Sequence, residues 1–340
     1  GKSAEQILSY YYTGVKIEPV TDDYDLKINI GHLLSSANLQ LVSKVGFLKI
    51  NDYQISDNQS VATFKYSAAG ITTQIKRNKV IVDNLPATNS ITIQWSGTRF
   101  LPGDPAIVAF NSGTSTQYQF GQINLSVVGK YFEATNTVRL KDEYLYGISE
   151  VSSAWPMESL RAQVIAARTY ALNKGINLRP SCDCNLYGNT QDQVFVGATK
   201  LMEPKYGQFW KAAVDSTSVN ETEGLAITYK GTPISAYYSS STGGMTESSL
   251  NAFGTAVDYL QPVADPWSID PKLNPKYVNW TRNVTQQVIA KAFGLPDVIK
   301  LTIKGKRIEA TSSTGTKFSL RLETFRSRAV LPSPFFTVLS

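Results

Sequence analysis

Apolar and polar residues alternate along much of the first part of the chain. Leu26-Lys27-Ile28-Asn29-Ile30, Val80-Ile81-Val82, Ile91-Thr92-Ile93-Gln94-Trp95 and Ile123-Asn124-Leu125-Ser126-Val127 are β-branched and aromatic runs. Gly, Asn and Asp separate them, which is the signature of short strands. Pro102-Gly103-Asp104-Pro105 reads as a turn between strands. Ahead of this stretch, residues 4–14 read as a short helix with Ile7-Leu8 and Tyr10-Tyr11 on its apolar side.

After Val138 the period lengthens. Leu160, Val164, Ala167 and Ala171 recur at helical spacing and predict a helix over 156–174. Pro156 suits its first position, Ser153 is the nearest capping candidate, Glu158 adds an acid to the first turn, and Gly175 is placed to end it. Further helices are expected at 142–151, 204–217 and 285–293, the last ended by Gly294. Strands return at 225–229 and 234–238, joined by a Lys230-Gly231 turn, and again over 299–340. The pattern predicts an α+β protein with a β-rich N-terminal region and a core of helices packed on antiparallel strands. No internal repeat is visible.

Length and composition narrow the class. A chain of 340 residues with 42% hydrophobic residues can form two domains or one elaborated domain. Charged residues make up 18% and the net charge is +6, which favours polyanionic partners. No run of Lys and Arg and no RNA-binding signature points to nucleic acid. No apolar run is long enough to span a membrane.

Cys182 and Cys184 are the only cysteines and His32 the only histidine. Two thiols without further ligands argue against zinc, so no metal or other cofactor is expected. A disulfide or free thiols in an exposed loop is the expectation for the pair. A Ser-His-Asp or Cys-His hydrolase would need His32 as its base, and nothing around it resembles such a site. No phosphate-binding glycine loop follows a strand. Carboxylate chemistry remains. Glu143 and Glu150, if on one helix, would lie two turns apart, roughly 10 Å along its axis. By pattern alone, Glu150 reads as an ordinary surface or capping carboxylate.

One long stretch changes that reading. Asp142-Glu143, Tyr144-Leu145-Tyr146-Gly147, Glu150, Trp155-Pro156 and Leu160 through Ala171 follow one another in order. Asp192-Gln193-Val194-Phe195-Val196-Gly197, Ala236 through Glu247, and Phe325-Arg326-Ser327 with Leu331 through Phe336 come after them. This succession resembles the SpoIID/LytB family, the stage II sporulation protein D and amidase-enhancer proteins of bacterial cell walls. The resemblance covers about residues 120–340. Residues 45–115 have no counterpart in it, and 299–340 would be its closing strands.

The resemblance implies an organisation of 1–20 as a helical tail of an upstream motif, 21–130 as a β-rich region with an insertion, and 131–340 as the SpoIID-like core. It implies that the natural protein continues upstream of Gly1. It implies a lytic transglycosylase acting on peptidoglycan glycan strands, with Glu150 as the single catalytic acid and base and an extracytoplasmic or secreted location. Tyr146, Trp155 and Arg168 are the substrate-side candidates near it, Arg168 chiefly as a residue that orients the Glu150 loop. Ser239, Ser240, Ser241, Thr242, Gly243 and Gly244 are either a polar hairpin loop or a glycan-binding loop. The alternative is a non-catalytic wall-binding module that enhances a separate amidase, which would then be its partner.

Overall fold

The computed structural model describes residues 1–113 and 115–339. They form two compact units, Gly1–Tyr238 and Ser239–Ser340. The protein is α+β, with the β-rich region at the N-terminal end.

In the first unit two large sheets hold the alternating segments. One has six strands in the order Ser115–Tyr118, Val108–Asn111, Ser36–Leu41, Ser60–Ser67, Gly70–Arg77 and Val80–Thr88. The other has seven, in the order Leu186–Tyr187, Asp25–Leu34, Tyr131–Arg139, Gln122–Val128, Ser90–Trp95, Leu48–Ile50 and Tyr53–Ile55. Alternate residues of both, including Leu39, Leu41, Phe64, Ile93, Trp95, Ile123 and Leu125, join one apolar cluster. Inward side chains at every second position produce the hydrophobic period seen in the sequence. Leu186–Tyr187 pairs in parallel with Asp25–Leu34, while the other pairings in the two sheets are antiparallel.

The long helix runs from Met157 to Lys174. Its expected apolar face is buried, yet burial extends to Ala162, Ile165, Ala166, Arg168, Thr169 and Leu172 as well. The helix Ala4–Tyr11, the helix Gly207–Asp215 and the strand Glu223–Tyr229 all pack on it. Thr169 ties it to that strand: its hydroxyl donates to the Ile165 carbonyl and accepts the Ile227 N–H at 2.8 Å. Pro156 occupies the capping position, and no side chain caps the helix, so Ser153 does not play that part. Gly175 ends it with φ of −84°, without a left-handed turn.

In the first unit three expectations differ. The segment foreseen as a helix over 142–151 is a π-helix at Leu140–Tyr144, and the chain leaves helical geometry by Ile148, which bridges to Phe195. Glu143 and Glu150 therefore do not share a helix. Past the Lys230-Gly231 turn, only Thr232–Pro233 is strand. Ile234 and Ala236 are buried alternately, as in a strand, without continuing the ladder. The cysteine side chains, expected in an exposed loop, are instead buried, and Cys182 and Cys184 are joined by a disulfide. The loop lies against the strand Asp25–Leu34: Asp183 takes Lys27 and Ser126 as partners, and Asn185 exchanges backbone and side-chain hydrogen bonds with Lys27.

The second unit has its own core around Phe293, Ile308, Ala310, Phe325 and Leu331. Its helix Gln286–Phe293 is capped by Thr285 and ended by Gly294 at φ of 69°. Strands Lys300–Lys304, Arg307–Thr311 and Lys317–Arg321 form a small antiparallel sheet. Phe325-Arg326-Ser327, expected in a strand, lies in the helix Leu322–Ala329. Leu322, Phe325 and Ala329 make a buried stripe at helical spacing, with Phe325 against Phe293, and that packing decides the conformation.

Candidate active site around Glu150

Glu150 sits in a bend held by the segment Val194–Val196. Ser149 N–H donates to the Val194 carbonyl, and Val196 N–H to the Gly147 carbonyl, each at 2.8 Å. Gly147 permits this approach, since a Cβ there would lie 2.3 Å from the Phe195 ring. The Val194 N–H then donates to Glu150 Oε1 at 2.6 Å. On the far side of the bend, the buried Lys200 ammonium donates to the Val151 carbonyl at 2.6 Å, with Glu203 3.4 Å away and the Trp210 ring beneath it. The half-buried carboxylate is thus oriented by backbone pairing and by a cation fixing the next residue.

Tyrosines and one amide form the neighbouring wall. Tyr144 donates its hydroxyl proton to Gln193 Oε1 at 2.7 Å, and Gln193 Nε2 donates to the Tyr238 hydroxyl at 2.8 Å. Burial, with a contribution from the Glu150 charge, pushes both hydroxyls above the ordinary tyrosine value. They remain protonated at neutral pH. Because the Tyr238 oxygen already accepts from Gln193, its own proton is left to donate.

Two other carboxylates of the same motif segments are already committed. Asp192 accepts from Arg179 Nη1 and Nη2 at 2.7 and 3.0 Å, from the Tyr170 hydroxyl at 2.9 Å, and from the Tyr187 N–H at 2.8 Å. Glu143 is gripped by Arg99 through two 3.0 Å bonds and by the Arg139 N–H at 2.8 Å.

The candidates proposed from sequence fall in different places. Tyr146 donates to Asp215 at 2.6 Å, carries Lys211 over its ring and packs on Phe120. Burial and Asp215 raise its hydroxyl. Trp155 is 51% exposed, just ahead of the long helix. Arg168 is sealed from solvent and paired with the equally buried Asp22 at 2.7 Å, with Thr217 and the Leu225 carbonyl as further partners. It has no exposed atom to offer a sugar and clamps helix to strand instead. Ser239 through Gly244 belong to the second unit. There Thr242 donates to Asp265, Ser241 accepts from Asn274, Gly244 N–H reaches Ser268, and Ser239 and Ser240 are exposed.

Asp192, Gln193, Tyr144, Tyr238 and Lys200 received no role from the sequence reading. Tyr144, the Asp192-Gln193 pair and Tyr238 lay within segments that the order of motifs had marked, while Lys200 carried no signal. Among the described residues no group of three or more His, Cys, Asp or Glu could hold a metal ion, and no helix is long and apolar enough to cross a membrane.

Residues 129–229 match the family model described as stage II sporulation protein, SpoIID. An uncharacterized protein of Brachyspira hyodysenteriae is 35% identical over 121 residues, 35% of this chain and 30% of that protein. The amidase enhancer of Bacillus subtilis is 30% identical over 140 residues, 41% of this chain and 16% of the relative. Stage II sporulation protein D of the same organism is 30% identical over 146 residues, 40% of each chain. The chain thus spans less than half the length of these relatives. The matched segment contains Glu150, the long helix, the Asp192–Gly197 block and the strand that Arg168 clamps, so residues 129–229 constitute a SpoIID-family domain.

Proposed function

We propose that this protein acts on the bacterial cell wall and cleaves peptidoglycan glycan strands as a lytic transglycosylase, with Glu150 as acid and base. The observation that carries the reading is the placement of Glu150: half-buried and fixed through Oε1 by a single backbone donor, with no donor on Oε2 among the described residues. In the proposed reaction that proton goes to the glycosidic oxygen as its bond to the anomeric carbon breaks. The carboxylate then takes the proton of the same sugar's C6 hydroxyl, whose oxygen closes on the anomeric carbon. One product ends in a 1,6-anhydro ring, the other gains a hydroxyl, and no water enters.

Hydrolysis would require a second carboxylate to serve as nucleophile or to activate water. Glu143 and Asp192 are occupied by arginines and backbone donors, which favours a mechanism with one carboxylate. Tyr238 is proposed as a hydrogen-bond donor to the sugar and the exposed Trp155 ring as a stacking surface. The exposed Ser239 and Ser240 hydroxyls are proposed as glycan contacts of their own unit.

The 30% identity to an amidase enhancer favours a second reading, a wall-binding module that stimulates a separate amidase. One experiment separates the two. Purified glycan strands, with and without stem peptides, are incubated with the wild type and with Glu150→Gln, and products are read by mass spectrometry. Anhydro-ended fragments from the wild type alone support cleavage. Wall binding and amidase stimulation by both proteins, without anhydro ends, replaces cleavage with the second reading.

A further inference from the structure

The six-stranded sheet ends in an exposed apolar and basic surface that the site around Glu150 does not use. Gln40, Val61, Lys76 and Ile81 form one cross-strand row. Just past this row the strand Ser36–Leu41 runs into the loop holding Val42, Lys44 and Val45. At the same end, Gly70–Arg77 and Val80–Thr88 meet in a two-residue turn at Asn78 and Lys79, with φ of 49° and 69°. Three strand spacings of about 4.8 Å separate the two tips by roughly 14 Å.

Both tips expose aliphatic side chains. Val80, Ile81 and Val82 are 65%, 51% and 49% exposed, and Val42 and Val45 are 39% and 57% exposed. Cations accompany them. Arg77 is paired with Asp57 at 2.7 Å, whereas Lys44, Lys76 and Lys79 have no ion-pair partner among the described residues. Five aliphatic side chains and three unpaired lysines therefore share one end of one sheet.

The register against Ile75 and Lys76 shifts at Val82, a β-bulge that twists this edge and breaks the regular alternation, so the three aliphatics do not form one flat face. A strand added along this edge would satisfy its backbone and still leave both faces wet. Pro86 also removes a donor from that edge. An anionic polymer alone would meet the lysines and leave the aliphatics in water. A lipid surface covers aliphatics on every side of a tip while its headgroups meet the lysines.

We propose that this end of the sheet docks on an anionic phospholipid membrane, with Val80, Ile81, Val82, Val42 and Val45 entering the acyl boundary and Lys44, Lys76 and Lys79 among the headgroups. The full chain is tested by co-sedimentation with vesicles of phosphatidylglycerol and phosphatidylcholine, and with vesicles of phosphatidylcholine alone. Two variants are compared, Val80→Ser/Ile81→Ser/Val82→Ser and Lys44→Glu/Lys79→Glu. All five changes are at exposed positions, and the charge variant leaves the aliphatics intact should the serine variant fold poorly. The expected result is pelleting of the wild type with the anionic vesicles, weakened by high salt and reduced roughly tenfold in either variant. A wild type that stays in solution, or a charge variant that pellets as well as the wild type, overturns the proposal. So does a folded serine variant that pellets undiminished. A wild-type dimer that the serine variant converts to a monomer, without vesicle binding, also overturns it and assigns the edge to a second copy of the chain.

Discussion

Lys200 carries a buried positive charge whose closest recorded partner is the carbonyl of the residue after Glu150. Its ammonium places Val151, and through the backbone it limits where Glu150 can point. Lys200→Met keeps the stem that packs near Trp210 and removes the donor. If glycan strands are the substrate, kcat should fall about tenfold with KM nearly unchanged, because a misplaced acid affects the chemical step more than binding. An unchanged kcat would mean that the Val194 contact alone suffices. Glu150 was singled out by the order of motifs around it. Gln193 and Tyr238 were not, because their roles arise from contacts across 45 and 49 residues. Neither position carries a local pattern that distinguishes a bridging side chain from a solvated one.

Among the elements, the long helix was the most legible because its apolar spacing, first-turn acid and closing glycine agree. What the spacing did not reveal is that neighbours cover its central turns, 164–172, on all sides, which makes Arg168 a clamp. Burial pushes the Asp22 carboxyl up and the Arg168 guanidinium down, so the pair is held against its own desolvation by proximity and by Thr217 and Leu225. Arg168→Ala would leave Asp22 buried and uncompensated. Its cost should be about 3–5 kcal/mol in a urea titration. Gly224→Ala should act through the same pair, since its Cβ would fall 2.5 Å from both Arg168 Nε and Asp22 Oδ2. A loss below about 1 kcal/mol for Arg168→Ala would show the clamp to be dispensable. The elements that escaped the sequence did so for definite reasons. A π-helix and an extended segment share local signals with an α-helix and a strand, and hydrogen-bond partners far along the chain separate them. At Leu322–Ala329, packing on Phe293 decides the helix.

At the scale of the whole molecule, α+β organisation was readable from where the hydrophobic period changes, near Val138. The distribution of buried tyrosines was not, because aromatic residues occur at surface and core positions alike. It governs the response to alkali. Tyr12, Tyr118, Tyr144, Tyr170 and Tyr238 are raised by burial alone or chiefly so, Tyr146 is raised likewise, and Tyr24 is pushed up to about 12. Their protonated forms favour the folded state, and this contribution is complete below about pH 10, where unfolded tyrosines ionise. It is lost as the pH rises above that value, by about 1.4 kcal/mol per pH unit for each fully buried tyrosine still protonated, and by less for the partly exposed Tyr24 and Tyr146, where solvent screens the charge. Ultraviolet titration should therefore show only part of the 18 tyrosines ionising near pH 10, with the rest appearing together at unfolding. Smooth ionisation of all of them near pH 10, with the fold intact, would contradict this burial.

The Val194 N–H that points at Glu150 has a use of its own: it is a resident probe. One backbone proton touches the oxygen whose charge the proposed chemistry would change twice per turnover. In a nitrogen–proton correlation spectrum, the Val194 resonance should move in Glu150→Gln, where a neutral amide replaces the carboxylate it meets, and an unmoved resonance would contradict the contact. Amide exchange at the same position would report how often the bend opens. The placement of the carboxylate thus becomes observable in the resting protein, before any glycan strand has been supplied.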